Sequence, residues 1–333
     1  MRLQTPRAGK ILAVVLSLSL LQGHAQEVQL RSRVELVVVP VTAKDKAGKL
    51  AVDLTQSDFT VTEAGKRQTV TIFSIEPVPI SAVILIDTGV SEMALTRVKN
   101  SFPALMGAFG DDDEIAVYQF DKDVEKLMDF TSDDVLIAKT FEKLTSVVPP
   151  AFSPSSGPFS SPGPVINGVP ITPGVDSVGR TIAPPTKVLH DALFAAAEDL
   201  DTRPLDRRRT VFVVSDGRNQ NSQHSFNAAR DRLLLREAQV FAFGVDTSVF
   251  QRFRSDLLSY TRETGGDTCF PESQGTLEAC YFLSTEQARN QYVLGYMSSN
   301  PRPSGRPVFR EIKVQVRRDG IELRHKKGYY QSP

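Results

Sequence analysis

The chain has 333 residues, of which 41% are hydrophobic and 23% are charged, a composition typical of a globular protein with a substantial core. Lysine plus arginine and aspartate plus glutamate both number 39, so the formal net charge is zero. Nucleic acids and anionic membranes favour partners with a basic excess, and this chain has none. We therefore expect no nucleic-acid partner.

The N-terminus has the pattern of a secretory signal peptide over residues 1–25. Arg2, Arg7 and Lys10 precede an apolar run from 11 to 21, and Gly23 and Ala25 are small residues at the two positions that a signal peptidase reads. The run is too short to span a bilayer as a mature helix, so we expect no integral membrane segment after cleavage. The expected location is the periplasm or the outside of the cell.

Residues 26–78 predict an N-terminal β segment. Apolar and polar residues alternate over 33–50 and 58–75, and each stretch contains a glycine-centred turn, at Gly48 and at Gly65. These signals indicate two hairpins.

Residues 79–290 predict strands that alternate with helices. Continuous apolar runs such as "TVFVV" and "VFAFGV" are typical of parallel strands covered on both faces. Helical spacing indicates helices between them, and Pro103 should interrupt the one predicted over 93–109. The stretch 124–130 follows a tight turn and suggests an antiparallel edge strand. The predicted strands are 82–86, 114–120, 209–215, 239–245 and 267–270. This pattern predicts a doubly wound, mostly parallel α/β sheet.

Two further segments complete the plan. Residues 148–185 contain ten prolines, five glycines and six serines among 38 residues, which predicts a disordered loop. Residues 291–333 return to β alternation. We expect these C-terminal strands to join the N-terminal β segment in a β-sandwich-like unit, with the α/β domain inserted between them. Cys269 and Cys280 are the two cysteines, and the sequence leaves a disulfide and two free thiols equally open.

The stretch "ILIDTGVSEM", residues 84–93, fits two kinds of site. Apolar residues before Asp-Thr-Gly surround the catalytic aspartate of aspartic peptidases, with Asp87 in that role here. Such an enzyme needs two aspartates that share a proton, and the chain has no second Asp-Thr/Ser-Gly. An aspartic-type peptidase therefore stays the alternative.

The other kind of site is a metal-ion-dependent adhesion site. Asp87 and Ser91 follow one predicted strand, Asp216 ends another, and Thr186 opens a helix. In a doubly wound sheet these positions meet in the crevice beyond the strand ends. Carboxylate, hydroxyl and water oxygens suit Mg²⁺, and also Mn²⁺ or Ca²⁺. A partner's Asp or Glu would complete the ion's coordination shell, which is a binding function and needs no general base.

Five segments of the chain follow a known pattern in order: "VELVVVPVTAKDKAGKL", "VILIDTGVSEM", "TKVLHDALFAA", "TVFVVSDGRNQNS" and "FREIKVQVRRDGIELRHKKGYY". In these segments the chain resembles a von Willebrand factor type A domain, and specifically the VWFA-related family of secreted acidobacterial proteins. The resemblance extends over nearly the whole mature chain and implies a non-enzymatic adhesion or protein-binding module.

One position departs from the family's pattern. The family motif is Asp-x-Ser-x-Ser, and Gly89 stands where the first serine belongs, so one hydroxyl ligand is missing. Either water replaces this ligand, with weaker metal binding, or the chain is a scaffold with a dead metal site. The sequence leaves both open.

Overall fold

The computed structural model describes residues 36–147, 165–166, 169–170, 187–246 and 254–333. The predicted signal peptide, Thr186 and nearly all of the predicted loop 148–185 lie outside these residues. Within that loop the structure describes two short paired strands, Val165–Ile166 and Val169–Pro170.

The elements are numbered in chain order. The strands are β1 (Leu36–Lys44), β2 (Phe59–Glu63), β3 (Lys66–Gln68), β4 (Val70–Ser74), β5 (Ile80–Asp87), β6 (Glu114–Phe120), β7 (Val124–Thr131), β8 (Val165–Ile166), β9 (Val169–Pro170), β10 (Arg208–Ser215), β11 (Gln239–Gly244), β12 (Thr268–Cys269), β13 (Tyr292–Met297), β14 (Val308–Val316), β15 (Glu322–His325) and β16 (Gly328–Gln331). The helices are α1 (Glu92–Asn100), α2 (Phe102–Met106), α3 (Asp134–Thr145), α4 (Leu189–Leu200), α5 (Phe226–Leu235), α6 (Arg254–Thr264) and α7 (Gln274–Arg289).

A six-stranded sheet carries the α/β part of the chain, in the order β12-β11-β10-β5-β6-β7. Its strands are parallel except β7, which runs antiparallel to β6 as the tight turn predicts. Every residue of β5 is buried, because helices cover both faces of the sheet. One apolar core lies under α1, α2, α3 and α7, and the other lies under α4, α5 and α6. The predicted doubly wound fold is confirmed.

Strands from both ends of the chain form a β-sandwich beside this sheet. One of its sheets has the order β15-β1-β13-β4 and the other β16-β14-β2-β3. Their apolar faces share a third core that includes Val39, Tyr292 and Leu294. The β2–β3 turn is the predicted one, at Ala64–Gly65, but β4 leaves this hairpin and pairs with β13 in the opposite sheet. The predicted union of N- and C-terminal strands is confirmed.

The sandwich and the six-stranded sheet belong to one compact unit, Glu35–Pro333. The domain boundaries at 78/79 and 290/291 stay predictions. Lys326 of the sandwich forms an ion pair with Glu237, which follows α5, at 2.8 Å. None of the helices in the described ranges is both long and apolar enough to cross a membrane.

Two local features answer questions that the sequence raised. The predicted helix over 93–109 is broken as expected, although the break falls at Ser101, which ends α1 and precedes α2, with Pro103 in the first turn of α2. Cys269 of β12 and Cys280 of α7 form a disulfide, with their Cα atoms 6.3 Å apart. The bridge ties the edge of the six-stranded sheet to the helix that covers it.

Candidate functional site: an ion-pair cluster at the carboxyl edge of the sheet

Three segments meet where β5 and β10 end. These strands are parallel neighbours, with Ile86 opposite Val214, so Asp87 and Asp216 come to the same edge of the sheet. Lys187 lies just before Val188, the N-cap of α4, and its side chain reaches the same point from the segment that leads into that helix. Two of the predicted site residues are therefore brought together, and a lysine that the sequence analysis did not single out joins them.

The Lys187 ammonium lies between the two carboxylates. Its Nζ is 3.0 Å from Oδ2 of Asp87 and 2.8 Å from Oδ2 of Asp216. The side chains of Lys187 and Asp87 are 0% exposed and that of Asp216 is 3% exposed. A buried charge is tolerated only when it is paired and hydrogen-bonded, and all three groups meet that condition.

Neighbouring groups contact both oxygens of each carboxylate. The Ser215 hydroxyl donates to Oδ2 of Asp87 at 2.7 Å, and the Gly89 amide donates to Oδ1 at 3.0 Å. The Arg218 amide donates to Oδ1 of Asp216 at 2.9 Å, and its Nε lies 3.3 Å from Oδ2. The cluster is a closed network of charges and hydrogen bonds.

Burial and charge act in opposite directions on these groups. Burial lowers the pKa of the Lys187 ammonium, but the Asp87 and Asp216 carboxylates outweigh burial and hold this pKa above its usual range. Burial also raises the pKa of Asp87, against the opposing effects of Lys187 and Ser215. Lys187 is therefore positively charged at neutral pH.

Ser91, one of the two hydroxyl residues of the predicted metal site, forms other contacts. Ser91 is exposed, and its Oγ accepts a hydrogen bond from the Ala94 amide at 3.3 Å, which caps α1. Its own amide donates to Oδ2 of Asp246 at 3.2 Å. Thr186 lies outside the described residues.

The described side chains do not fit a divalent ion between Asp87 and Asp216. Mg²⁺ needs about six oxygen ligands in a near-octahedral shell, and here the ammonium of Lys187 lies between the carboxylates. Gly89 offers no hydroxyl. Across the described ranges, no group of three or more His, Cys, Asp or Glu side chains is arranged to hold a metal. The metal site formed by Asp87, Ser91, Thr186 and Asp216 stays a prediction.

The geometry also bears on the peptidase alternative. Aspartic peptidases place two carboxylates about 3 Å apart so that they share one proton and activate a water molecule. Here an ammonium, rather than a proton, joins Asp87 to Asp216, and the two residues are 1% and 3% exposed. This arrangement does not support acid–base chemistry at Asp87.

One feature of the sequence could have pointed to Lys187, namely its position directly before an apolar helix. The lysine follows Thr186 directly and precedes an apolar helix, so a charged side chain stands where the chain enters the core. Lysines are almost never fully buried unless they are paired. Its partners are 100 and 29 residues away along the chain, which hides the pairing from any local pattern.

No protein-family model matches the sequence, and no curated protein matches it. Solved structures resemble it at low identity. An aerotolerance-related membrane protein from Bacteroides fragilis is 14% identical, with 62% of this chain and 99% of that chain covered and a TM-score of 0.43. A von Willebrand factor type A protein from Catenulispora acidiphila is 10% identical, with 91% and 75% covered and a TM-score of 0.46.

A manganese-loaded TRAP protein from Plasmodium vivax is 11% identical, with 81% of this chain and 98% of that chain covered and a TM-score of 0.41. Function does not transfer at these levels of similarity. The fold is instead identified from the chain's own topology, a doubly wound parallel sheet with the antiparallel strand β7 at one edge. The described chain has a von Willebrand factor type A-like fold, as the sequence resemblance implies.

Proposed function

We propose that the protein is an exported, non-enzymatic protein-interaction module whose partner contacts the loops at the carboxyl edge of the six-stranded sheet. The observation that carries this proposal is the buried Asp87–Lys187–Asp216 cluster, which ties three chain segments together at that edge. Export is supported by the predicted leader and by the Cys269–Cys280 disulfide, a bond typical of oxidising compartments.

Backbone hydrogen bonds join one more loop to the cluster and reinforce the loop after β10. The Val188 amide donates to the carbonyl of Asp121, in the loop after β6, at 2.9 Å. The Gln220 amide donates to the carbonyl of Lys187 at 2.9 Å. These bonds hold the loops after β5, β6 and β10 in one arrangement. A preordered surface binds more tightly because little conformational freedom is lost on association.

A large apolar side chain is exposed beside these loops. Met93, in the first turn of α1, is 76% exposed and follows the exposed residues Ser91 and Glu92. Flexible methionine side chains adapt to a partner's surface, and an apolar contact surrounded by polar groups is typical of a binding site. The partner is therefore proposed to be a protein that covers Met93 and the neighbouring loops.

Site-specific photo-crosslinking tests this proposal. A benzoylphenylalanine at position 93 should form one or a few specific adducts with other envelope proteins when the full chain is expressed in its exported form. Leu205 is the matched control, because it is 83% exposed and precedes β10 at the opposite edge of the sheet. Position 205 should give no such adduct. Equal adducts at both positions, or none at 93, would contradict an interaction through the carboxyl edge.

The non-enzymatic part has its own test. Purified protein is incubated with a denatured protein substrate at acidic and at neutral pH. We expect no cleavage. Cleavage that is lost in the Asp87→Asn variant would show that the protein is a peptidase.

A further inference from the structure

Each carboxylate of the ion-pair cluster has a basic side chain as its partner. Lys187 Nζ lies 3.0 Å from Oδ2 of Asp87 and 2.8 Å from Oδ2 of Asp216, and Arg218 Nε lies 3.3 Å from Oδ2 of Asp216. Two clustered carboxylates normally require a metal or a shared proton, since like charges at short range repel strongly. In this chain the Lys187 ammonium lies where such a group would stand, within hydrogen-bond distance of both carboxylates.

The lysine side chain also fills the space next to Gly89. A Cβ atom at position 89 would lie 3.2 Å from Cε of Lys187 and 3.4 Å from Oδ1 of Asp87. A serine at position 89, which the family motif places there, would press against the lysine side chain. The absence of a side chain at Gly89 therefore leaves room for the lysine at position 187.

We infer that Lys187 is an internal cation that takes the place of a divalent ion between Asp87 and Asp216. The loops at the carboxyl edge are then held in one state whether or not metal is present. Both distances are those of charge-assisted hydrogen bonds, and the complete burial of the ammonium excludes water from the position.

This substitution changes what the edge offers to a partner. A metal ion in an open site accepts a carboxylate from outside, whereas the Lys187 side chain is 0% exposed and already contacts two carboxylates. If the protein is the interaction module proposed above, the loops around the cluster contact the partner. No metal ion then bridges the cluster to an Asp or Glu of the partner. Partner binding is then insensitive to chelators.

Thermal unfolding with and without Mg²⁺ or Mn²⁺ tests the internal cation. The melting temperature of the wild-type protein should change with neither ion nor with EDTA. Lys187→Ala removes the ammonium and leaves two adjacent carboxylates with a vacated volume, so this variant should melt lower and should respond to the ions. Its melting temperature should rise by about 5 °C when the ion is at about 100 times its dissociation constant.

Lys126→Ala is the control for losing a lysine. Lys126 also pairs with an aspartate, at 2.8 Å from Asp199, but its side chain is 37% exposed. Removing the Lys126 side chain should lower the melting temperature little, and neither Mg²⁺ nor Mn²⁺ should change the melting temperature of this variant. A response in this control equal to that of Lys187→Ala would trace the effect to non-specific ion binding and would overturn the inference.

Two other results would also overturn it. One is Mg²⁺ binding by the wild-type protein in isothermal titration, a measurement that does not depend on any variant folding. The other is a folded Lys187→Ala or Lys187→Gln protein that is indifferent to both ions. Photo-crosslinking at Met93 tests the interaction proposal, and metal binding and melting temperature test the internal cation. Failure of one proposal therefore does not contradict the other.

Discussion

Position 89 and Lys187 are in close contact, since a Cβ atom built on Gly89 would lie 3.2 Å from Cε of the lysine. That separation is tighter than ordinary van der Waals contact, and the lysine is held in place by two carboxylates. A serine at position 89, as in the Asp-x-Ser-x-Ser motif, therefore has a different consequence in the presence of Lys187 than the motif by itself predicts.

We expect Gly89→Ser to destabilise the wild-type protein by ~1–3 kcal/mol, as overpacking of a buried site does. Gly275→Ser is the control, because no atom lies within 4 Å of a Cβ added there. Urea unfolding of both variants measures the difference. A Gly89→Ser protein as stable as wild type would show that Lys187 moves aside without cost.

The charges of the cluster should be strongly coupled. Lys187→Met leaves two buried carboxylates without their main cation and should cost ~3–5 kcal/mol. Asp87→Asn should destabilise the wild-type protein, because it leaves the buried ammonium with one carboxylate. In the Lys187→Met background the same substitution should instead restore stability, because it removes one of two repelling charges. A double-mutant cycle measured by urea unfolding decides this, and additive effects would contradict the coupling.

The Cys269–Cys280 disulfide should contribute to stability through the unfolded state. The two residues are 11 apart in sequence, so closing this loop is expected to stabilise the protein by ~2–3 kcal/mol. The measurement compares the urea midpoint of the wild-type protein with that of a Cys269→Ser/Cys280→Ser variant. Alkylation of unreduced protein followed by intact mass analysis provides the control. Two modified thiols would show that the bridge does not form.

Stability should fall in acid as Asp191 loses its charge. Burial raises the pKa of this carboxyl, but the amides of His224 and Gln223 and the His224 ring outweigh burial and hold it below its ordinary value of 3.8. Because this pKa is lower in the folded than in the unfolded protein, the carboxylate stabilises the fold fully above 3.8. That contribution disappears as the pH falls through the lower, folded-state pKa.

Asp191→Asn should therefore cost ~1–2 kcal/mol at neutral pH, and the difference from wild type should shrink below pH 3.8. Chemical unfolding across a pH series measures it. The control is Asp201→Asn, whose carboxylate pairs with Arg236 at 2.9 Å but is 42% exposed, and which should have little effect. An Asp191 difference that persists unchanged in acid would contradict the role of its charge.

The sequence by itself determined the six strands of the α/β sheet and, to within about two residues, where they end. Runs such as "TVFVV" predict buried parallel strands, because both faces of such a strand are apolar. Asp87 and Asp216 stand where two such runs end, so the sequence predicts both at strand ends. Alternation at both ends of the chain predicted the sandwich strands. These are local patterns with a period set by backbone geometry, and they do not decide the pairing, since β4 leaves its predicted hairpin and pairs with β13.

Only the tertiary structure decided what lies between the two aspartates. The contact of Lys187 with Asp87 joins residues 100 apart, and the Cys269–Cys280 bridge depends on how α7 packs beside β12. A lysine side chain is long and flexible, so no sequence periodicity reports where its ammonium lies. Its burial becomes favourable only when the folded sheet brings two carboxylates to within 3.0 Å of the ammonium.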